Sequence, residues 1–559
     1  MRVPAFGWVQ GYERGWLRGD LIAGLTVWAV LVPEALAYAT IAGVSPVVGL
    51  YAAPGALILY AAFGSSRHLV TGPMAATAAL SAAAVATLAT PGSNDFVQLT
   101  VALALVVGVL ALLAGLLRLG FLASFISEPV LKGFIVGLAL TIIIGQVPKL
   151  LGVEKTEGDF FRQLWGVLGK LGDTSGITLL VGAASLVLVL ALKAYAPVVP
   201  GSLAAVLLGI AAVHLFNLDD HGVSIVGQIE SGLPSFGLPD IPTHRYLDLV
   251  GSAVGVMLVG FAEGLGAAKT YAARNHYEID ANRELIGLGA ANIGAGLSSG
   301  MVVNGSLSKT AVNGSAGANS QLSSLTVAAL SVVTLLFLTG LFEDLPEATL
   351  AAVVIAALIE LVDVPALIRL YRFHTRGAGR ALALATRPDF VAAVAAMLGV
   401  LIFDTLPGLI IGIAVSLLLL LYRASRPHVA VLGKDPGGGG RWSDIERHPD
   451  NTVVPGVVVL RPESGLFFAN ADAIRTAVLD HAADATRAIV LDAETVPTID
   501  VTATSMLVEL AADLKRYGTE LVLARDVGTV RELIQLGEER DPIRTFPTVR
   551  AAIEALEHE

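Results

Sequence analysis

Ser65–Ser66–Arg67–His68–Leu69–Val70–Thr71–Gly72–Pro73 and Ser299–Gly300–Met301–Val302–Val303–Asn304–Gly305 are the two stretches on which the fold turns. Each runs through a short extended stretch, reaches a glycine and then opens a helix rich in small residues. Each helix so opened is a short apolar segment, and counting segments sets the two seven apart. Glycine and proline are common in membrane helices for packing alone. Here, however, polar residues flank both breaks at membrane depth, and paired interruptions in corresponding halves of a chain point to a transporter's substrate site. The odd separation makes the two halves inverted with respect to one another.

The flanking sequence calls for a membrane. Hydrophobic residues make up 55% of the 559, charged residues 15%, and mean hydropathy is +0.73. Soluble domains carry about 25% charged residues. The deficit lies between Asp20 and Arg423, in runs such as Val101–Leu117, Ile177–Leu192 and Ser323–Leu341. These approach the ~20 apolar residues that cross a bilayer. A soluble helical core does not bury so many all-apolar helices. Hydropathy places about fourteen spans, at 20–41, 45–63, 73–90, 98–117, 125–146, 175–195, 200–216, 249–272, 284–298, 306–317, 322–341, 347–361, 387–403 and 406–423.

Loops after even-numbered spans hold Arg67; Arg118 and Lys132; Lys193; Lys269, Arg274 and Arg283; Arg369, Arg372, Arg376, Arg380 and Arg387; and Arg423 and Arg426. Loops after odd-numbered spans are poor in cations or acidic, at Asp95, Asp219–Asp220, Glu343–Asp344–Glu347 and Asp404; the mixed loop 147–174 is the exception. The positive-inside rule then puts both ends in the cytoplasm. The short loops are of bacterial style, which points to a cell inner membrane. The expected organisation is a cytoplasmic segment 1–19, a transport domain 20–425, a linker 426–452 containing the Gly437–Gly440 run, and a small α/β domain 453–559. In the last, strands are expected at Val453–Arg461, Phe467–Asn470, Ala488–Asp492 and Glu520–Ala524, between helices at Ala471–His481, Val501–Tyr517, Val527–Leu536 and Thr548–Leu556.

An anion inside a bilayer needs compensation that water does not supply. Two helix starts, near Pro73 and Ser306, offer free N–H groups and positive dipole ends. Gly72 and Gly305 let the backbone come close, Met74 and Leu307 stand at the helix starts, Ser306 and Ser308 add hydroxyls, and Lys309 adds a charge; a lysine snorkelling from a helix end is the alternative reading. Glu34 and Tyr38 share one face of span one, and Glu263 lies well inside span eight. A carboxylate at that depth costs ~2.5–3.5 kcal/mol on insertion scales and normally faces a cavity, although a hydrogen bond between helices would also retain it. Beside an anion, a carboxylate recruits a proton when the anion binds; Glu263 is the expected proton carrier.

Arg18–Thr26, Val32–Ala39, Asn282–Leu285, Gly289, Asn292 and Gly305–Thr310 resemble motifs of the sulfate permease family of anion transporters, and the resemblance runs over nearly the whole chain. It implies an all-α domain of about fourteen spans in a seven-plus-seven inverted repeat, spans one to four and eight to eleven forming a core and the rest a gate. It also implies elevator-like transport, a homodimer and a C-terminal STAS domain. The family's anion site falls on Glu34, Tyr38, Gly72, Pro73, Met74, Ser306, Leu307, Ser308, Lys309 and Glu263. Many relatives have glutamine where Glu34 stands and, in vertebrates, arginine where Lys309 stands. Sodium-coupled bicarbonate relatives carry an aspartate and a threonine at what are here Glu263 and Ala267, which argues for protons rather than sodium. In the tail, Asp500–Val501–Thr502 stands where related domains carry a phosphorylated serine. Val501 takes no phosphate, which leaves Thr502 as the one hydroxyl there, and Asp500 reads as a helix cap.

The expected function is proton-coupled uptake of sulfate. The alternatives are a bicarbonate or dicarboxylate carrier, an uncoupled anion channel, and a membrane-anchored regulator whose STAS domain binds a cytosolic partner. No metal cluster, nucleophile elbow or phosphate loop marks an enzyme, no cofactor is called for, and no basic stripe marks a nucleic-acid partner.

Overall fold

The structure, a computed structural model, describes residues 5–558 except 122–126, 197–198, 360–361, 363–364, 366–367, 370–379, 404, 438–440, 483–485 and 538–542. Arg372, Arg376, Asp404 and Gly438–Gly440 lie outside the described residues. The chain forms two compact units, Met1–Ser416 and Leu417–Glu559.

In the first unit every expected span has its helix. The first seven are α1 Leu17–Ile41, α2 Pro46–Phe63, α3 Ala75–Ala86, α4 Asn94–Leu116, α5 Glu128–Leu151, α7 Gly176–Tyr195 and α8 Gly201–Phe216, with the short amphipathic α6 Phe160–Gly169 between α5 and α7. After α9, Thr243–Asp248, come α10 Val250–Arg274, α11 Ala281–Leu297, α12 Leu307–Ser315, α13 Leu322–Val333, α14 Glu347–Ile359, α15 Arg380–Phe403 and α16 Thr405–Ala424. Eight of these helical stretches are long and apolar enough to cross a bilayer by themselves.

The packing repeats itself when the first seven spans are exchanged for the second seven. Helix α1 packs on α13 as α10 packs on α4; α2 on α13 as α11 on α4; α1 on α12 as α10 on α3; and α5 on α15 as α14 on α7. Helices α2 and α11 pack on each other, as do α5 and α14. This is the pattern a twofold repeat demands. Small residues make it feasible, because dispersion between closely approaching backbones replaces the hydrophobic effect inside a membrane. A methyl group at Gly55 would sit 2.4 Å from the Gly294 carbonyl oxygen, and one at Gly294 would sit 2.5 Å from that of Gly55.

Between α2 and α3 lies strand β1, Val70–Gly72, and between α11 and α12 lies β2, Asn304–Ser306. They pair antiparallel, Val70 opposite Ser306, Thr71 opposite Gly305 and Gly72 opposite Asn304. Extended backbone at membrane depth needs internal partners, and side chains supply them. The Asn292 amide works as a false strand: its nitrogen donates to the Val303 carbonyl and its oxygen accepts from Val303 N–H, both at 3.0 Å. Gln321 donates to the Ser66 and Leu69 carbonyls, Asn313 to that of His68, and Val70 N–H donates to Thr310 Oγ1. Two buried carboxylates hold the loops. Glu284 accepts from Tyr60 and from the Ser65 and Ser66 N–H groups; Asp20 accepts from Asn319 and Ser320.

The second unit is built on a six-stranded sheet, in the order β4-β3-β5-β6-β7-β8. The strands are β3 Val429–Lys434, β4 Trp442–Asp444, β5 Val457–Pro462, β6 Ala488–Asp492, β7 Glu520–Ala524 and β8 Thr545–Phe546. From β5 to β8 they run parallel. Alternation sends Leu460, Ile489, Leu491, Leu521 and Leu523 to one apolar layer and Val457, Val459, Val490 and Val522 to the other. Strands β3 and β4 arise within the segment read as a linker. Phe467–Asn470, read as a strand, is a turn instead: the Asn470 side chain accepts from Phe467 N–H and donates to the Gly465 carbonyl, closing the backbone locally. Asp500 caps the helix Val501–Arg516 by accepting from Ala503 N–H at 2.8 Å.

Candidate functional site

Because β1 and β2 run antiparallel, α3 starts beyond one end of the ribbon, after Gly72, and α12 beyond the other, after Ser306. Helix α3 begins after Met74, whose side chain makes no capping bond. Helix α12 begins after Ser306, whose Oγ accepts from Lys309 N–H at 3.2 Å and lies 3.1 Å from Ser308 Oγ. Leu307 and Ser308 are exposed although the strand before them is wholly buried. The first turn of α12 is therefore uncovered at Leu307 and Ser308, and it carries the positive end of the helix dipole there.

Lys309 turns away from that opening. It is 1% exposed, and its Nζ lies 2.7 Å from Glu34 Oε2, 3.0 Å from the Pro73 carbonyl oxygen to which it donates, and 5.2 Å from the centre of the Tyr38 ring. One ammonium thus joins span ten to span one and to the start of span three. The snorkelling alternative is set aside by this burial. The full charge expected for an anion is instead matched within the protein, since Glu34 is itself buried. Two opposite charges removed from water in this way must stay together, because either alone would be costly.

Glu263, half-buried on α10, accepts from the Asn304 amide at 3.2 Å. Gly305 meets α10 closely: a methyl group there would come within 3.0 Å of Gly264 Cα and 2.8 Å of the Leu69 side chain. Gly72 is different, since a methyl group there would meet only Leu31, at an ordinary 3.4 Å. Packing against the neighbouring helices is thus tight at Gly305 and not at Gly72. All the residues singled out from the sequence lie on the ribbon, on the two helix starts, or on α1 and α10, which pack against them. Asn304 was quoted as part of the break but given no role. A fully buried amide in an apolar run is the signal that marks it.

Among the described residues no group of histidines and acids could hold a metal ion. Two interlocked sets of seven apolar helices, interrupted in corresponding places by two short strands that pair with each other, define a multi-pass membrane transporter of the inverted-repeat class.

A sequence profile described as the sulfate permease family matches residues 17–383, and one described as the STAS domain matches 448–552. A probable sulfate transporter of Mycobacterium tuberculosis is 38% identical over 566 residues, covering 99% of both chains. High affinity sulfate transporter 1 of Stylosanthes hamata is 31% identical, covering 98% of this chain and 85% of its own. In fold, the chain resembles the murine Solute Carrier 26 family member A9 anion transporter in its inward-facing state, with TM-score 0.89, 22% identity and coverage of 100% and 94%. It also resembles the transmembrane domain of a cyanobacterium bicarbonate transporter, with TM-score 0.60, 23% identity and coverage of 69% and 97%. The chain belongs to the sulfate permease family, whose members are transporters and not enzymes.

Proposed function

We propose that this protein takes up a small oxyanion, sulfate first, together with a proton. The observation that carries the reading is the joining of two helix starts by one ribbon, with Lys309 tied to both. Backbone N–H groups of α3 and α12, from Met74 and Leu307 onward, face the anion, with Ser306 and Ser308 beside them. Gly72, Pro73 and Gly305 shape the backbone. Tyr38 and the Glu34–Lys309 pair form the floor. The names of the relatives favour sulfate.

Glu263 carries the proton in this reading. Ionised, it repels an arriving anion; protonated, it does not, so binding of the two is mutually favourable. Uptake therefore rises as pH falls on the entry side. The core, spans one to four and eight to eleven, travels elevator-like against the gate of spans five to seven and twelve to fourteen. The transport domain occupies 20–425 and the STAS domain 453–559. Both ends lie in the cytoplasm of a cell whose inner membrane holds the protein as a homodimer, and the STAS domain offers a surface to a cytosolic protein partner.

Labelled sulfate uptake into proteoliposomes under an inward proton gradient tests this. The expected result is gradient-stimulated uptake, poorly competed by bicarbonate, fumarate, nitrate or chloride. In Glu263→Gln, acid stimulation disappears while anion exchange persists. An unchanged pH dependence in that variant would remove Glu263 from the role. Uptake driven by bicarbonate or fumarate alone would reassign the substrate.

A further inference from the structure

We propose that Asn304 is a positioning residue: it ties the Glu263 carboxylate to the second ribbon strand, so that the proton site and the anion-facing helix start form one rigid unit. This rests on the reading of Glu263 as proton carrier, and one arm of the test below does not depend on it.

Both ends of the Asn304 side chain are engaged. Its nitrogen donates to Glu263 Oε2 at 3.2 Å, and its oxygen accepts from Gly305 N–H at 2.7 Å. Asn304 is completely buried. Glycines on α10 clear the space it occupies: a methyl group at Gly260 would stand 3.3 Å, and one at Gly264 3.2 Å, from its amide atoms. The Gly305 bond sets which end of the amide faces Glu263, and the end that does so is a donor. An amide neither gains nor loses a proton between pH 4 and 9, so it holds Glu263 in place without competing for the proton.

Asn304 also lines a small cavity of about 10 Å³, shared with Tyr60, Thr71, Gly264, Glu284 and Gly305. The Thr71 hydroxyl, fully buried, has no partner there. Asn304 thus bonds Glu263 and shares the lining of this cavity with Glu284. The elements packed against α10 are β2, α3, α4, α9, α11 and α12. Of ionisable groups, α12 brings Lys309, already paired with Glu34, α11 brings Arg283 and Glu284, and α9 brings His244, Arg245, Tyr246 and Asp248, while Lys269 and Tyr271 lie further along α10 itself. Helix α3 contributes none, and α4 only Asp95, which faces Arg245 at 3.5 Å.

The test is an infrared-detected titration of the purified full-length protein. The Glu263 carboxyl band is assigned by its loss in Glu263→Gln. Replacing the donor, Asn304→Asp, displaces the midpoint of that band by about one unit or more. Gly264→Ala, which crowds the amide from the side, moves it in the same direction by less, and it serves where Asn304→Asp does not fold. Sulfate uptake in proteoliposomes shows the same displacement of its pH profile. An unmoved band in both variants overturns the proposal. A moved band in a protein whose uptake ignores pH upholds Asn304 as the positioning residue and overturns instead the coupling role of Glu263.

Discussion

The two arms of the ribbon occupy equivalent places in the repeat, yet they contribute different chemistry. The first, Val70 to α3, contributes backbone only: an uncapped helix start, an alanine-rich first turn, and the Pro73 carbonyl given to Lys309. The second, Asn304 to α12, is dense in side-chain function, with Asn304, Ser306, Ser308 and Lys309 within six residues. The crowding differs likewise, Gly305 lying against α10 and Gly72 having room beside Leu31. A duplicated architecture thus supplies two dipoles, and specialisation of one copy supplies charge and proton chemistry. Symmetry sets where an anion can sit, and asymmetry sets how tightly and with what coupling it is held.

Five substitutions would break or sharpen this contrast. The largest effect is expected from Lys309→Met, which leaves Glu34 buried without its partner and cuts the link between the arms. Stability falls by about 3–5 kcal/mol, and sulfate binding is lost, as thermal unfolding and calorimetric titration would report. Adding Glu34→Gln should restore much of the stability without restoring transport. If Lys309→Met alone binds sulfate normally, the lysine is a structural strut and the asymmetry is not functional.

Next comes the glycine pair. Gly305→Ala forces the ribbon away from Gly264 and costs about 1–3 kcal/mol, whereas Gly72→Ala should fall within about 0.5 kcal/mol of the parent. Chemical unfolding in detergent separates them, and equal costs would mean that the two arms are held alike. The smallest effect on the second arm is that of Ser306→Ala, about 1 kcal/mol for loss of a helix cap, with several-fold weaker sulfate binding. Affinity unchanged in that variant would leave the backbone of both arms as the whole anion site.

Much of the fold was legible before any coordinates. Each of the fourteen spanning helices falls where an apolar run lies, because a bilayer judges every segment separately by its hydropathy. The breaks at Gly72 and Gly305 were legible as interruptions, and Glu34, Lys309 and Glu263 as ionisable residues where such residues are expensive. The small domain was less open. Strands β3 and β4 went unread because their short segments flank a glycine run, and Phe467–Asn470 read as strand because an aromatic pair outweighed one asparagine whose side chain closes a turn.

What the sequence alone determined, then, was membrane residence, the number and order of spans, the inverted halves and the roster of polar residues at depth. These follow from local composition, since the cost of exposing or burying each segment is a property of that segment. Which polar residues meet was decided by the tertiary structure. That Glu34 takes Lys309, that Asn304 takes Glu263, and that Asn292 stands in for a strand beside Val303 depends on how helices distant in the chain are rotated and how closely their small residues let them approach. Those settings come from packing over whole interfaces, and no single segment contains them.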